Sequence, residues 1–306
     1  AGNHTEGEVY NGCYGFTWTF THDSYEYTAR RDDNLSGVCP DCEGTHDHTP
    51  YEEAGTNEHG VTVSATETLY PNDSVQDADP FMDEGIEEAE ITTIILSEAA
   101  TAREGVELLL SIYDDVGACG ASGLMIADQN EQWYIENLSG HEYIAVLLPP
   151  SVAFLQPNLS VIGKIDLDDT ENVITSKNII AVAKNAGTFV GDEENNVIDF
   201  RASYHYLDFD PTSDRQHRMA NGLNFLMDTD EWTPEEALLD NAAIMTNIAA
   251  DGSITVLYND LALKNVTMED IFALYRVYPI GNEMNEEIHL YRFYPETRSE
   301  EHTSEL

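Results

Sequence analysis

Four residues of metal-binding type lie close together between residues 30 and 50. Two residues separate Cys39 from Cys42, and His46 and His48 follow shortly after them. Thiolate and imidazole are the ligands of structural zinc sites, and Cys-x-x-Cys commonly forms half of such a site. The spacing of the histidines is tighter than in common zinc fingers. Three interpretations stay open: a structural zinc site, a local disulfide or redox pair, and free thiols in a surface loop.

A second stretch, Glu53 to Glu67, combines a turn with a strand of small residues. Two glycines bracket the turn at residues 57–59. After the turn, apolar and polar residues alternate from Val61 to Thr66, which predicts a half-buried strand. Glycines and small side chains in a strand favour the close approach of another group. The stretch is interpreted either as the inner edge of a hydrolase active site or as an ordinary β-hairpin.

Five stretches resemble one family in the same order along the chain. The second stretch resembles the Gly-x-Asn-Glu-x-Gly-Val-x-x-Ser-Ala-Thr-Glu-Thr signature of the bacterial dipeptidases among the N-terminal-nucleophile (Ntn) cysteine hydrolases. The other four are Gly15 to Trp18 with Tyr25 to Ala29, Thr101 to Val106, Ala127 to Glu136 with Ser139-Gly140-His141, and Pro157-Asn158. Together they extend over about half of the chain, which makes the resemblance specific.

The resemblance implies an α+β fold, an αββα sandwich of two antiparallel sheets between helical layers, here incomplete. It implies a cysteine-type dipeptidase that cleaves dipeptide amide bonds and requires no cofactor, so a zinc ion in the Cys/His loop would be structural. In such enzymes the mature chain begins with the nucleophilic cysteine. Its own α-amino group, with a pKa of about 7.7–8.0, serves as the base.

The resemblance also suggests site residues. Asn158 is expected to be catalytic on the oxyanion side, and Asn57 is expected to be catalytic on the turn opposite. Glu67 is expected to bind a substrate amino group, and Arg218 is expected to bind a substrate carboxylate. For each of them, a structural hydrogen bond or a surface charge is the alternative. His141 lies in a predicted hairpin turn, where a packing role is favoured over that of a catalytic base.

The expected nucleophile is not found in the sequence. The chain begins with Ala1, Cys13 lies within an aromatic stretch beyond the family's nucleophile position, and Cys119 lies in a Gly-Ala-Cys-Gly-Ala segment typical of a structural role. The last residues, RSEEHTSEL, can be encoded by a common sequencing-library adapter. We therefore expect a partial dipeptidase domain at residues 1–297, a foreign tail at residues 298–306, and no activity in the chain as it stands.

The charge composition of the chain limits the kinds of binding partner that are expected. The chain has 58 acidic and 13 basic residues, a formal net charge of −45. This charge disfavours nucleic acid, because binding phosphates requires Lys and Arg. No apolar run approaches the length of a membrane span, so none is expected. Dipeptides are the expected substrates, a homo-oligomer is compatible with the sequence, and location is left open between export, the cell surface and the cytoplasm.

Two other functions remain as alternatives. One is a related Ntn amidase, such as a bile-salt or penicillin acylase, although the Ser-Ala-Thr-Glu-Thr run favours the dipeptidases. The other is a non-catalytic acidic surface protein whose Cys/His loop binds a metal.

Periodicity predicts the elements that would position these residues. The expected helices cover 84–99, 101–116, 176–185, 214–226, 232–247 and 267–276. Strands are expected within 13–29, at 61–66, in a meander at 123–128, 132–138 and 143–148, and at 253–258. Residues 70–83 and 190–203 are expected to be loops.

Overall fold

The computed structural model describes residues 4–12, 15–31, 51–67, 69–148 and 159–206, with short pieces between 217 and 273 that include two strands. The strands are β1 (Val9–Asn11), β2 (Thr17–Thr19), β3 (Tyr27–Arg31), β4 (Glu52–Asn57), β5 (Thr62–Thr66), β6 (Ser122–Ala127), β7 (Gln132–Asn137), β8 (Tyr143–Leu147), β9 (Lys164–Asp166), β10 (Val173–Thr175), β11 (Gly191–Asp192), β12 (Val197–Asp199), β13 (Ile244–Ile248) and β14 (Ile254–Tyr258). The helices are α1 (Asp73–Ala78), α2 (Glu88–Glu98), α3 (Ala102–Asp115), α4 (Ile179–Ala186) and α5 (Phe200–Tyr204).

A seven-stranded antiparallel sheet organises the described part of the chain. Its strand order is β10-β8-β7-β6-β5-β4-β3, so neighbours in the sheet are mostly neighbours in sequence. The predicted hairpin is confirmed as β4–β5, with Gly60 at φ +82° in the turn. The predicted meander is confirmed as β6–β7–β8. In β5, Val63 and Ala65 are buried while Thr62 and Ser64 are exposed, as the alternation predicts.

Helices α2 and α3 cover one face of this sheet. Val63, Ile126, Trp133 and Ile135 project from the strands into a core that the helices complete with Ile91, Ile94, Ile95, Val106, Leu109 and Tyr113. Both helices were predicted. Helix α2 is buried almost all round, because the β1–β2 hairpin and the segment that follows it lie on its far side, where the Tyr25 N–H donates to the Ser97 carbonyl at 3.0 Å.

The start and end of α3 follow local rules, with one difference. The Thr101 hydroxyl accepts from the Glu104 N–H at 3.2 Å, as predicted. The Glu104 carboxylate accepts from the N–H of Ala100 at 2.9 Å, whereas a capping box would use that of Thr101. Gly117, at φ +79°, ends the helix.

A second core lies on the opposite face of the sheet. Tyr134, Ile144 and Val146 project into it and meet Val161, Ile162, Ile179, Ile198, Phe200 and Tyr204. These partners come from α4, α5 and a small antiparallel sheet of order β11-β12-β9, together with the chain that leads into it. Both faces of the large sheet are therefore buried. The α+β class is confirmed, and the specific αββα sandwich stays a prediction.

Two predicted loops were wrong. Residues 70–83 contain α1, whose first turn is capped by the Asn72 side chain accepting from the Val75 N–H at 2.9 Å. Residues 190–203 contain β11, a 3₁₀ turn at Glu193–Asn195, β12 and α5. These elements have only two to six residues, too few for an apolar period to show.

The later predictions are only partly within the described residues. The strand predicted at 253–258 is confirmed as β14, which pairs with β13. The described residues between 217 and 225 are helical, as are residues 234 and 235. The helix predicted at 232–247 is wrong at its end, because residues 244–247 belong to strand β13, which pairs with β14. The tail at 298–306 is outside the described residues. Within the part of the chain that the structure describes, no helix combines the length and apolar character needed to cross a bilayer.

Candidate active site

Asn57, at the end of β4, has a structural role. Its side chain is 5% exposed. The amide nitrogen donates to the carbonyls of Leu96 and Ala99 at 3.1 and 2.7 Å, and the amide oxygen accepts from the N–H groups of His59 and Val61 at 3.1 and 3.0 Å. The fold thus uses both donors and both acceptor positions of the amide. This geometry gives no support to the prediction that Asn57 is a catalytic residue.

Glu67 lies just beyond the other end of β5. Its N–H donates to the Glu88 carboxylate at 2.6 Å. Its carboxylate lies over Gly120, where a Cβ atom would come within 2.7 Å of the Glu67 Oε1 atom. Asn57 is hydrogen-bonded to Val61, and six residue steps along an extended strand from Val61 to Glu67 cover about 20 Å. The structure therefore does not bring Asn57 and Glu67 together.

The close approach predicted for this stretch is found, but the group that approaches the strand is helix α2 of the same chain. A Cβ atom on Gly55 would lie 2.6 Å from Leu96 Cδ1 and 2.7 Å from the Thr28 carbonyl oxygen. Gly55 thus allows α2 to pack directly on the backbone of β4. Packing of the hairpin accounts for this glycine without a substrate.

Cys119 lies near Glu67 but is unsuited to nucleophilic attack. Burial raises the pKa of its thiol to about 12, and the charges of Glu87, Glu67, Glu90 and Asp83 add to the effect. A thiol with such a pKa is protonated at neutral pH, and the thiolate is the reactive form. The structure supports the structural role expected for Cys119.

A buried carboxylate that sequence reasoning missed lies on the opposite face of the sheet. Glu136, on β7, is 0% exposed. It accepts from the Tyr134 hydroxyl at 2.9 Å, the Ser160 hydroxyl at 2.6 Å and the Val161 N–H at 2.7 Å. Burial raises the pKa of Glu136, while these donors and the Ile162 N–H oppose the rise. The signal in the sequence was a charged residue that follows three large apolar or aromatic residues, Trp133 to Ile135, within one strand.

Arg201 carries the charge that complements this carboxylate. Burial lowers the pKa of its guanidinium to about 10. The charges of Glu136 and Asp199 act in the opposite direction and raise this pKa. The Arg201 N–H donates to the Ile162 carbonyl at 2.9 Å. The chain at residues 160–162 is therefore held from two sides, by β7 and by α5.

His141 lies in the turn between β7 and β8, as predicted. Asp79 accepts from the His141 N–H at 2.7 Å and contacts its Nδ1 atom at 2.9 Å. Asp79 ends α1, so the pair joins this helix to the turn. The neighbouring Gly140 is also packed tightly, since a Cβ atom there would lie 2.2 Å from the Pro80 carbonyl oxygen. The contacts fit the packing role favoured for His141.

The remaining predicted site residues are outside the described residues. They are Asn158, Arg218, Cys39, Cys42, His46 and His48. Their roles stay predictions. Among the residues that the structure does describe, no three His, Cys, Asp or Glu side chains are grouped so as to hold a metal ion.

Comparison with known proteins finds relatives that match part of the chain. The chain is 37% identical over 175 residues to a probable dipeptidase B of Streptococcus pyogenes serotype M1, covering 57% of this chain and 33% of that protein. It is 33% identical over 206 residues to a probable dipeptidase of Salmonella dublin, covering 66% of this chain and 44% of that protein. A probable dipeptidase of Latilactobacillus sakei is 32% identical over 177 residues, covering 58% and 35%. All three of these relatives carry the name of a probable dipeptidase.

The family follows from a longer match. The sequence pattern of Peptidase family C69 matches residues 5–239, and the chain belongs to that family. The matched part includes the seven-stranded sheet and both cores. The chain spans about a third of the length of the first curated relatives it matches.

Proposed function

We propose that this chain is part of a cysteine-type dipeptidase of the Ntn class. The match to Peptidase family C69 over residues 5–239 carries the proposal. The dipeptidase names of the relatives from S. pyogenes and S. dublin support the substrate class. The layers around the seven-stranded sheet are compatible with an αββα sandwich.

The proposed nucleophile is the N-terminal cysteine of the mature enzyme, which these 306 residues do not supply. Its α-amino group takes the thiol proton, and the thiolate attacks the peptide carbonyl carbon. The tetrahedral intermediate collapses to a thioester, and the amine product leaves with the proton. Water then hydrolyses the thioester and restores the thiol. No metal ion is needed in this sequence of steps.

Three residues of this chain have proposed roles around that nucleophile. Asn158 donates to the oxyanion. Arg218 binds the carboxylate of the dipeptide. Glu67 is exposed beyond the end of β5, where its carboxylate is suited to an ammonium group. Asn57 is left out of this set, because the fold uses its whole amide.

The test is an activity assay on the complete reading frame that contains this sequence. The enzyme is incubated with a panel of dipeptides, and its N-terminal cysteine is changed to alanine as the control. Dipeptide hydrolysis that the control loses is the expected result. Hydrolysis of a conjugated bile acid or of penicillin V, with none of the dipeptides, would replace the proposal with a related amidase. No hydrolysis of either kind would overturn it.

A further inference from the structure

The end of α2 is held by groups from other parts of the chain. The last carbonyls of a helix have no donor within the helix, and in α2 they belong to residues 96–99. Asn57 donates to the first and the last of them, as described above. The Tyr25 N–H donates to the Ser97 carbonyl at 3.0 Å, and His22 Nε2 lies 3.2 Å from the Glu98 carbonyl oxygen. Of these groups, only the imidazole can lose its hydrogen near neutral pH.

The ring of His22 lies between two carbonyl oxygens. Its Nδ1 atom is 2.7 Å from the Asp23 carbonyl oxygen, and its Nε2 atom faces that of Glu98. A carbonyl oxygen only accepts, so both contacts are hydrogen bonds only when both ring nitrogens carry a hydrogen, as in the imidazolium form. The neutral ring has a single N–H, which the shorter contact keeps at Nδ1. Loss of the proton therefore ends the hydrogen bond to α2.

Negative charge around the ring also favours the imidazolium form. The Glu98 carboxylate, whose side chain is 4% exposed, lies 3.8 Å from Nε2. The Asp23 carbonyl raises the pKa of His22 above its ordinary value of 6.5. Partial burial opposes the rise, while the Glu98 carbonyl and the charges of Glu98 and Asp23 add to it. The other neighbour of the ring is Tyr25, which separates it from His59 of the β4–β5 turn.

The segment at residues 21–25, which we call the joint, connects the β1–β2 hairpin to α2. On the hairpin side, the Glu6 N–H donates to the Asp23 carboxylate at 3.0 Å. On the helix side, the Thr21 N–H donates to the Glu98 carboxylate at 2.8 Å. A change in the contacts of the joint therefore acts on the packing of the hairpin against the helix.

We propose that His22 is a pH-sensitive latch for this joint. The imidazolium form bonds the joint to the end of α2, and the neutral form releases the Glu98 carbonyl, so that the joint opens locally more often. A group whose pKa is raised by folding stabilises the folded state below its unfolded pKa, and this stabilisation is lost as the pH rises through the folded pKa. The joint should thus be tight below pH 6.5 and looser above the folded pKa of His22. The latch requires no catalytic activity, so its test is separate from that of the proposed function.

The chain supplies a matched control in His59. The rings of both histidines contact Tyr25, with centroids 4.7 Å away for His22 and 4.3 Å away for His59. His59 is exposed, and within the described part of the chain its ring nitrogens have no hydrogen-bonding partner. His22→Gln thus removes the titrating group of the joint, whereas His59→Gln removes one beside it.

The experiment follows the full chain by NMR titration of the histidine rings and by amide hydrogen exchange at about pH 6 and about pH 8.5. Signals that are absent in His22→Gln belong to His22. We expect them to titrate above pH 6.5, with hydrogen on both ring nitrogens at the lower pH. The protection factor of the Tyr25 N–H, corrected for the intrinsic rate at each pH, should fall by about threefold to thirtyfold at the higher pH. It should not change with pH in His22→Gln, and it should fall in His59→Gln as in the wild type.

Two outcomes would overturn the proposal. If His22 titrates at or below pH 6.5, the two carbonyl contacts do not hold its proton. If the Tyr25 N–H is equally protected at both pH values, or loses protection equally in His22→Gln, the charge of His22 does not control the joint. Should His22→Gln leave no measurable protection, the wild-type titration decides alone.

Discussion

The side-chain nitrogen of Asn57 donates to the Ala99 carbonyl across 2.7 Å, joining the β4–β5 turn to the end of α2. The same nitrogen donates to the Leu96 carbonyl. These carbonyls belong to the last turn of the helix and its cap, where partners within the helix are lacking. An asparagine in the signature stretch that resembles a catalytic residue is therefore a helix-capping residue in this structure.

Replacing Asn57 by alanine should destabilise the protein. The change leaves two carbonyls and two N–H groups without their partners, and a loss of about 2–4 kcal/mol in the free energy of unfolding is expected. Urea denaturation measures it. The matched control is Asn130→Ala, at an exposed position in the β6–β7 turn, where little change is expected. A normal stability in Asn57→Ala, together with a large loss of kcat, would restore the catalytic role.

The contact between Gly55 and α2 predicts a second loss of stability. In Gly55→Ala the new methyl group meets Leu96 Cδ1 and the Thr28 carbonyl oxygen, so the helix must move away from the strand. Overpacking of this kind costs about 1–3 kcal/mol. Adding Leu96→Ala relieves only one of three clashes, because the Thr28 carbonyl oxygen and the Ala29 Cβ atom remain in the way, so the double variant should be less stable than Leu96→Ala alone. Equal stability of those two proteins would show that Gly55 has room for a side chain.

The buried imidazole of His205 predicts a dependence of stability on pH. Burial, with the nearby charge of Arg201, lowers the pKa of His205 from 6.5 to about 4. The unfolded chain therefore binds a proton more readily than the folded one between these values, and the free energy of unfolding decreases as the pH falls from 6.5 towards 4. The difference in pKa corresponds to about 3 kcal/mol at most.

Because buried carboxylates such as Glu136 have raised pKa values and act in the opposite direction, a variant must isolate the histidine. In His205→Asn, the amide can replace the Nδ1 donor that contacts the Tyr206 carbonyl at 2.6 Å, but it cannot be protonated. The difference in stability between wild type and variant should change across pH 4 to 6.5. A constant difference would refute the prediction.

Cys119 should react slowly with alkylating reagents. A thiol with a pKa of about 12 has roughly one thiolate in ten thousand molecules at pH 8. Iodoacetamide labelling followed by peptide mapping should leave Cys119 unmodified in the folded protein and label it in urea. If the complete protein has the proposed dipeptidase activity, Cys119→Ala should keep its kcat. Rapid labelling of the folded protein, or loss of activity in this variant, would contradict the expectation.

The net charge of −45 predicts that salt stabilises the protein. Repulsion among carboxylates opposes the compact state, and added ions screen it. The melting temperature should rise from low-salt buffer to 1 M NaCl. Sucrose at equal osmolality serves as the control. It is excluded from the protein surface but does not screen charge, so a rise in melting temperature that salt gives and sucrose does not is due to screening. A melting temperature that falls with salt would show that attractive charge pairs outweigh the repulsion.

Sequence patterns predicted long elements well and short ones poorly. Helices α2 and α3 and the strands of the meander have enough residues for an apolar period to show, and all were predicted. Helix α1 has a single buried residue, Val75, so no pattern marked it. For the site, the motif predicted that Asn57 is a catalytic residue, but it could not show that the side-chain amide bonds to the backbone of the fold. Glu136 was missed because its partners, Ser160 to Ile162, become neighbours only when the second layer folds onto the sheet.

The large sheet separates two hydrophobic cores, and mutations in one core are expected to act independently of mutations in the other. Trp133 and Ile135 face α2 and α3, whereas Tyr134 and Glu136 face the second core, although the four residues are consecutive. Among the described residues, the two cores have no buried member in common, so changes in one core should leave the tolerance of the other core nearly unaltered. Proteins that descend from one ancestor are therefore expected to vary in the helical layer while they keep the layer that holds residues 160–162.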